Sequence, residues 1–168
     1  MALNRLDTYR EERDGMVVDI GIHDVTVHNY REMLSLHVAP AQLHFIETPK
    51  QCLRDAAIWK EYRPVGLYVD RQLVGFAMYG YFPDEAVNGR LWIDRILIDE
   101  SHQGKGFGRL FMRALIEKLE DEYGRQPIYL SVYQENEGAV HLYERLGFQF
   151  INELDINGEQ IMRLETGR

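Results

Sequence analysis

Cysteine is almost absent from this chain, because Cys52 is the only one among 168 residues. A single thiol cannot close an intramolecular disulfide, and it cannot supply the cysteine sets that hold structural zinc. We interpret Cys52 as a free thiol on a helix. Stability must therefore come from a hydrophobic core, and this length suits one compact domain better than two of ordinary size.

Positive charge is also scarce, with 19 lysines and arginines against 27 aspartates and glutamates and a formal net charge of −8. Nucleic-acid binding depends on clustered Lys and Arg that displace phosphate counterions. The composition therefore predicts no nucleic-acid partner. An acidic chain suits a cationic partner better, although many proteins are acidic for solubility alone.

No segment is apolar over the length that a membrane helix needs, and residues 1–15 are polar and charged. They also lack the apolar stretch of a signal peptide. We therefore expect a cytoplasmic protein without a membrane partner. Residues 1–15 are interpreted as an N-terminal tail or helical arm, and residues 16–168 as a single domain. The histidines show no metal-ligand spacing, so no metal is expected.

Apolar patterns along the chain predict a mixed sheet with helices on its faces, an α/β (α+β) fold. Strand-like runs cover residues 16–22, 89–100 and 126–134, and two hairpins cover 65–82 and 148–165, with turns at Asp70-Arg71 and Asn157-Gly158. Helical patterns cover residues 24–38 behind Asp24, 48–62 behind the Thr48-Pro49 cap, a segment that ends near Gly124, and 136–147 behind Asn136.

Three glycines, Gly104, Gly106 and Gly108, stand two residues apart where an apolar strand gives way to a helix. Such a turn exposes backbone N–H groups at the positive end of a helix dipole, which favours phosphate. A merely tight turn is the alternative. The dinucleotide pattern G-x-G-x-x-G fails because Arg109 stands at its third glycine, and no Gly-Lys-Ser or Gly-Lys-Thr of a P-loop occurs.

Two motifs in this sequence resemble those of the GNAT family of N-acetyltransferases. Gln103-x-x-Gly106-x-Gly108 is similar to that family's [RQ]-x-x-G-x-[GA] pyrophosphate loop. The pattern N-x-x-A-x-x-L-Y-x-x-x-G-F is matched at Asn136, Ala139, Leu142, Tyr143, Gly147 and Phe148. The resemblance covers about Met16 to Leu164 and implies the GNAT fold, a central, mostly antiparallel twisted sheet with helices on both faces.

This resemblance implies acetyl-CoA as the cofactor and assigns residues to it. The loop would bind pyrophosphate through Gln103, Gly104, Lys105, Gly106, Phe107, Gly108 and Arg109. The strand Ile96, Leu97 and Ile98 would pair with the pantetheine arm, and one of its N–H groups would polarise the thioester carbonyl. Asn136, Gly138, Ala139 and Tyr143 would line the other side. As alternatives, Asn136 would serve as a plain helix cap and the strand residues as core.

Acetyl transfer to an amine needs two proton movements, because the amine must lose a proton and the departing sulfur should gain one. Tyr143 matches the family's general acid, with a core tyrosine as the alternative. Asp94 is the candidate base because it alternates with Trp92 and Ile96 on the strand expected to hold the thioester. A surface ion pair with Arg95 or Arg90 is the alternative for Asp94.

Within the family, the stretches "LHVAPAQLHFIET", "RPVGLYVDRQLVGFAMYG", "NGRLWIDRILIDESHQGKGFG" and "GFQFINELDINGE" resemble bacterial spermine/spermidine acetyltransferases. The implied acceptor is a small cationic amine, a polyamine, and the candidate substrate-binding residues are Glu47, Asp84, Glu85, Trp92 and Asp94. Another amine, such as a protein N-terminus, a lysine or an aminoglycoside, is one alternative, and a non-enzymatic CoA-binding module is another. The family also implies a homodimer. Because Cys52 lies outside both motifs, direct attack in a ternary complex is expected.

Overall fold

The structure is a computed structural model, and it describes residues 8–13 and 15–167. Its strands are β1 Thr8–Arg13, β2 Met16–Asp24, β3 Tyr62–Val69, β4 Gln72–Phe82, β5 Arg90–Ile98, β6 Ile128–Val132, β7 Gln149–Leu154 and β8 Gln160–Leu164. Its α-helices are α1 Tyr30–Met33, α2 Pro49–Ile58, α3 Phe107–Tyr123 and α4 Glu137–Arg145. The eight strands form one sheet in the order β1-β2-β3-β4-β5-β6-β8-β7, and β5 with β6 is the one parallel pair within the described residues. The predicted mixed, mostly antiparallel sheet is confirmed.

Helices pack on both faces of the sheet. Successive side chains of each strand point to opposite faces, so one strand contributes to a core on each side. On β4, Phe76 and Met78 pack in one core with Cys52 of α2, whereas Ala77 and Tyr79 pack in a second core with α3. Cys52 is buried and free, as predicted. The two cores lie on opposite sides of the sheet and confirm the predicted layers.

The chain begins, in its described part, with a strand and not with the tail or helical arm expected for residues 1–15. Thr8–Arg13 pairs antiparallel with β2, with Tyr9 opposite Ile20 and Arg13 opposite Met16. Residues 1–7 lie outside the described residues. The prediction was wrong for β1 because an edge strand of mostly polar residues is stabilised by backbone pairing and carries no apolar alternation.

The first helix is much shorter than the pattern over residues 24–38 predicted. Asp24 ends β2 instead of capping a helix, and α1 occupies only Tyr30–Met33. The Asn29 side chain accepts from the Thr26 N–H at 2.7 Å and donates to the Asp24 carbonyl at 3.0 Å. Asn29 thereby offers the backbone an alternative to helical hydrogen bonds, which is why a helical spacing of apolar residues failed here.

The second helix begins as predicted and ends early. Thr48 and Gln51 form a capping box, in which the Thr48 side chain accepts from the Gln51 N–H and the Gln51 side chain accepts from the Thr48 N–H. The helix ends at Ile58, and Tyr62 already pairs with Gly80 of β4. The pattern had predicted a helix that continues until just before Pro64. Pro64 instead lies inside β3, so the helix is shorter than predicted.

The later helices follow the predicted pattern. The apolar residues of α3 are buried and the helix ends at Gly124, whose φ of 75° and ψ of 173° form a conformation that is essentially restricted to glycine. Asn136 precedes α4, and its side chain accepts from the Ala139 N–H at 3.4 Å. Within the described ranges no helix has both the length and the apolar character that crossing a membrane requires.

The predicted hairpin turn at Asp70-Arg71 is confirmed between β3 and β4. Both residues have positive φ, 47° for Asp70 and 69° for Arg71. Asp70 is anchored to β2, because its Oδ1 accepts from the Asp19 N–H at 3.1 Å and its N–H donates to the Asp19 carbonyl at 2.8 Å. Arg71 is exposed and bears the cost of a left-handed conformation with a Cβ.

We expect Arg71→Gly to raise the free energy of unfolding by about 1 kcal/mol, because glycine adopts positive φ without steric cost. Urea unfolding followed by circular dichroism measures this. Arg71→Ala is the matched control: it removes the same side chain but keeps the Cβ, so its stability should stay near that of the wild type. A lower unfolding midpoint for Arg71→Gly would contradict this account of the turn.

Candidate active site

A cleft opens where the parallel strands β5 and β6 part. The two strands pair only at Leu91 with Ile128 and Trp92 with Tyr129. Beyond Trp92 they diverge around a cleft of about 630 Å³, which residues 93–98 of β5 and 130–133 along β6 line. The edge of β5 that faces the cleft therefore has no strand partner from residue 93 to 98 within the described residues, and its backbone groups remain open to a ligand.

The glycine-rich turn forms one end of this cleft. Gly104 and Gly106 have φ of 74° and 76°, a conformation that residues with a Cβ adopt only at a cost, and Gly106 directly precedes α3. A Cβ at Gly106 would also come within 2.7 Å of Arg13 Nη2 of β1. The Gln103 side chain donates to the Ile98 carbonyl at 2.9 Å, so it ties the turn to β5. This end presents backbone N–H groups at a helix N-terminus to the cleft.

The start of α4 forms the opposite wall. Asn136, Gly138, Ala139 and Tyr143 all line the cleft, as the second motif predicted. Burial, with a smaller effect of the nearby Glu159 charge, raises the pKa of the Tyr143 phenol to about 12. The phenol is therefore protonated at neutral pH, as a tyrosine in water also is, so the proton that a general acid needs is present.

Asp94 and Arg95 lie at a β-bulge in β5. Arg95 pairs with Met78 of β4 and Ile93 with Tyr79, so Asp94 has no partner in the ladder. A bulge re-aims side chains, and here the regular alternation that the prediction assumed for Trp92, Asp94 and Ile96 is interrupted. Asp94 lines the cleft, as predicted, although it does so from a bulge and not from a regular strand position.

Arg95 binds two carboxylates in this wall. Its Nη1 lies 3.1 Å from Asp94 Oδ2, and its Nη2 donates to Glu47 Oε1 at 2.7 Å. The predicted alternative, an ion pair of Asp94 with Arg95, is therefore present, but it is partly buried in the cleft and not on the open surface. Burial raises the pKa of Asp94 to about 6, and the Arg95 charge opposes that rise.

Glu159 is a cleft residue that the sequence analysis missed. It follows the predicted turn at Asn157-Gly158, is only 8% exposed and lines the cleft. Burial first, and the Asp155 charge next, raise its pKa to about 7, while a hydrogen bond from Ser131 lowers it. Acidic residues beside a turn are usually solvated. The only sequence feature that could have indicated Glu159 is its position just before the apolar residues of β8.

The remaining predicted site residues divide by position. Those that line the cleft are Glu47, Asp94, Ile96, Leu97, Ile98, Gln103, Gly104, Gly106, Phe107, Gly108, Arg109, Asn136, Gly138, Ala139 and Tyr143. Lys105, Asp84, Glu85 and Trp92 lie outside its lining. Glu85 accepts a hydrogen bond from the Trp92 indole N–H at 2.6 Å, so these two side chains are engaged with each other. Residues 8–13 and 15–167 contain no cluster of three or more metal-ligating side chains.

Comparisons with known proteins identify the family of this chain. Residues 27–148 match the family described as the Acetyltransferase (GNAT) family. A spermine/spermidine N(1)-acetyltransferase of Bacillus subtilis (strain 168) is 49% identical over 148 residues, which cover 86% of this chain and 97% of that protein.

Solved structures with this fold include two enzymes with bound coenzyme A. The spermidine N-acetyltransferase of Vibrio cholerae in complex with CoA and spermine aligns with a TM-score of 0.65 at 23% identity, over 86% of this chain and 92% of that one. An aminoglycoside acetyltransferase in complex with coenzyme A aligns with a TM-score of 0.73 at 18% identity, over 88% of this chain and 95% of that one. These alignments confirm the predicted fold.

We expect Arg95→Met to lower the free energy of unfolding by about 3 kcal/mol, because it leaves the Asp94 and Glu47 carboxylates without their cation. The triple variant Glu47→Gln, Asp94→Asn, Arg95→Met should recover most of that loss, since no buried charge is then left unpaired. Urea unfolding at neutral pH measures both.

Arg10→Met is the matched control for this comparison. Arg10 pairs with Asp19 on the exposed face of the β1–β2 hairpin, at 3.2 Å and with both side chains more than half exposed. Losing such a pair should cost less than about 1 kcal/mol. Equal losses for Arg10→Met and Arg95→Met would contradict the structural importance of the buried cluster.

Proposed function

Because the chain belongs to the Acetyltransferase (GNAT) family, we propose that it is an acetyl-CoA-dependent N-acetyltransferase whose acceptor is a primary amine of a polyamine such as spermine or spermidine. The observation that carries this proposal is a single cleft with a glycine-rich helix N-terminus at one end and three carboxylates beside one arginine at the other. The first end suits a pyrophosphate and the second suits a cation.

The residues of the cleft fit acetyl-CoA. The turn around Gly104 and Gly106 would hold the pyrophosphate through backbone N–H groups, with Arg109 adding positive charge. The unpaired edge of β5 from residue 96 to 98 would hydrogen-bond the pantetheine arm, and one of its N–H groups would stabilise negative charge on the thioester oxygen. When bound, acetyl-CoA supplies the activated acetyl group.

Tyr143 is proposed as the general acid. Tyr143 lines the cleft opposite β5, and its phenol is protonated at neutral pH, so it can give a proton to the departing sulfur. No covalent acetyl-enzyme is needed. Cys52 is buried in α2, does not line the cleft, and has a pKa raised to about 12 by burial, so its thiolate is not available as a nucleophile. The amine therefore attacks the thioester directly.

The acceptor preference rests on charge. A polyamine carries several ammonium groups, and the far end of the cleft holds Glu47, Asp94 and Glu159 with Arg95 as their nearest cation. A net negative wall attracts a long cation and repels a phosphate or carboxylate. The Bacillus subtilis relative, 49% identical over nearly its whole length, carries the name of a spermine/spermidine acetyltransferase, which supports the same class of acceptor.

A cytoplasmic location and a homodimer complete the proposal. The sheet ends in the edge strands β1 and β7, and Leu154 on β7 is 60% exposed. An apolar side chain on an open strand edge is a feature that a second subunit would cover. Sedimentation equilibrium of the full chain tests this part by itself.

We expect the purified protein to release CoA thiol from acetyl-CoA with spermine and spermidine, and much more slowly with an aminoglycoside or a lysine peptide. Thiol release in parallel wells measures all four acceptors. Turnover with only a non-polyamine amine would keep the acetyltransferase and overturn the acceptor. Tight CoA binding with no turnover would leave a CoA-binding module.

We expect Tyr143→Phe to lower kcat by at least about 100-fold while the Kd for CoA stays unchanged, because the variant loses only the acidic proton. Stopped-time thiol release and isothermal titration measure these two quantities. Tyr30→Phe, at an exposed position on α1, is the matched control and should retain wild-type kcat. A fully active Tyr143→Phe would remove Tyr143 from the mechanism.

A further inference from the structure

We propose that the carboxylate of Glu159 is the base that accepts the proton of the attacking amine, while Asp94 acts as a positioning residue within the ion-pair cluster. This assignment rests on the acetyltransferase function proposed above. It differs from the sequence-based hypothesis, which gave the base role to Asp94.

Glu159 is held rigidly at the cleft by its own hairpin. Asp155 Oδ1 accepts from the N–H groups of Asn157 and Glu159, both at 2.8 Å, and the Asp155 N–H donates to the Glu159 carbonyl at 2.9 Å. These bonds fix the backbone of Glu159, and the residue is only 8% exposed and lines the cleft, as Ser131 of β6 also does. A base on a fixed backbone presents its carboxylate to a restricted part of the cleft.

The surroundings of Asp94 and Glu159 differ in the cation each carboxylate contacts. Asp94 lies 3.1 Å from Arg95 Nη1, and the same guanidinium binds Glu47. The Arg95 charge opposes the rise in the pKa of Asp94, and the ion pair engages the Asp94 carboxylate with Arg95 instead of leaving it open to a substrate. Among the described residues, no Lys, Arg or His lies within ion-pair distance of Glu159, so its carboxylate is free to take a proton.

The charged groups around Glu159 come from several elements. Asp155 on its own hairpin and Glu47 before α2 repel a negative charge on Glu159, whereas Arg95 on β5 and the Ser131 hydroxyl favour it. Tyr143 on α4 and Tyr133 after β6 line the same cleft as Glu159, and the Glu159 charge contributes to raising the pKa of both phenols. Burial is the largest effect, and the resulting pKa of about 7 is near the optimum for a base that works at neutral pH.

The bound ammonium gives one proton to the Glu159 carboxylate and becomes a neutral amine. Its lone pair forms the C–N bond at the thioester carbonyl carbon, the C–S bond breaks, and the sulfur leaves with that electron pair. Tyr143 protonates the sulfur, and the second proton of the nitrogen returns to the Tyr143 phenolate, so the products are an amide, a free thiol, a regenerated phenol and one proton released to water from Glu159.

The test is the pH dependence of kcat/KM for spermine with the full-length chain, compared among wild type, Glu159→Gln, Glu159→Asp and Asp94→Asn. We expect the wild type to lose activity below pH about 7 as Glu159 is protonated. Glu159→Gln should be at least about 100-fold slower and should lack this limb, keeping only the rise that the substrate amine itself imposes at higher pH. Glu159→Asp should restore part of the activity together with the limb.

Asp94→Asn separates the two carboxylates. We expect it to raise KM and to keep the limb near pH 7, because it alters the ion-pair cluster and leaves the base in place. Glu153→Gln is the matched control on the same hairpin: Glu153 pairs with Arg90 and does not line the cleft, so rate and profile should match the wild type. The assignment is overturned if Glu159→Gln keeps the limb, or if Asp94→Asn alone abolishes it.

A stability measurement shows that Glu159→Gln folds and reports on the same carboxyl. The pKa of the wild-type Glu159 carboxyl is raised from 4.5 to about 7 on folding, so the folded state holds this proton more tightly than the unfolded state. Stability of the wild type therefore falls as pH rises from about 4.5 to 7, and Gln carries no such dependence. The melting temperature of Glu159→Gln should exceed that of the wild type above pH 7, and the difference should shrink toward pH 4.5.

The outcomes also separate this assignment from the function on which it rests. A wild type that releases no thiol with any amine overturns both the function and the base. A wild type that acetylates polyamines, together with Glu159→Gln within about threefold of it, overturns only the base and leaves the acetyltransferase standing.

Discussion

The short parallel contact between β5 and β6 is the constraint on which the rest of this structure depends. The strands share two residue pairs and then diverge, and everything assigned to the site lies in or beside the gap. Parallel strands need a crossover between them, and α3 is that crossover. The glycine-rich turn and α3 therefore begin at the open end of the gap, and α4 enters from the other side.

Burial also shifts the pKa values of the residues that we propose to move protons in the cleft. Burial raises the pKa of the Tyr143 phenol and of the Asp94 and Glu159 carboxyls, but the consequence at neutral pH differs between the phenol and the carboxyls. Tyr143 stays protonated at neutral pH, as a tyrosine in water does, whereas Glu159 becomes a carboxylate that binds a proton near neutral pH. Arg95 opposes this rise most strongly where it makes contact, at Asp94, and only through space at Glu159.

Most of the fold could be predicted from the sequence where local chemistry and long-range packing favour the same structure. The Thr48 cap, the Asp70-Arg71 turn and the two motif-bearing helices are examples, and the two motifs indicated residues that line the cleft at its glycine-rich end and along α4. The failures occurred where tertiary pairing decides. β1 is stabilised by its neighbour, the segment after Asp24 follows side-chain hydrogen bonds of Asn29, and the bulge in β5 depends on register with β4. Glu159 was missed because its burial comes from elements distant in sequence.

The bulge at Asp94 also bears on how such a site can change over evolution. If residue 94 is left out of the count, Leu91, Ile93, Ile96 and Ile98 fall on one face of β5 in regular alternation, and all four pack with the same core. Asp94 is thus an extra residue inserted into an intact strand pattern, with no counterpart on β4. The side chain at this position can therefore be exchanged without disturbing either core, so acceptor preference can diverge between relatives while the scaffold beneath it is inherited unchanged.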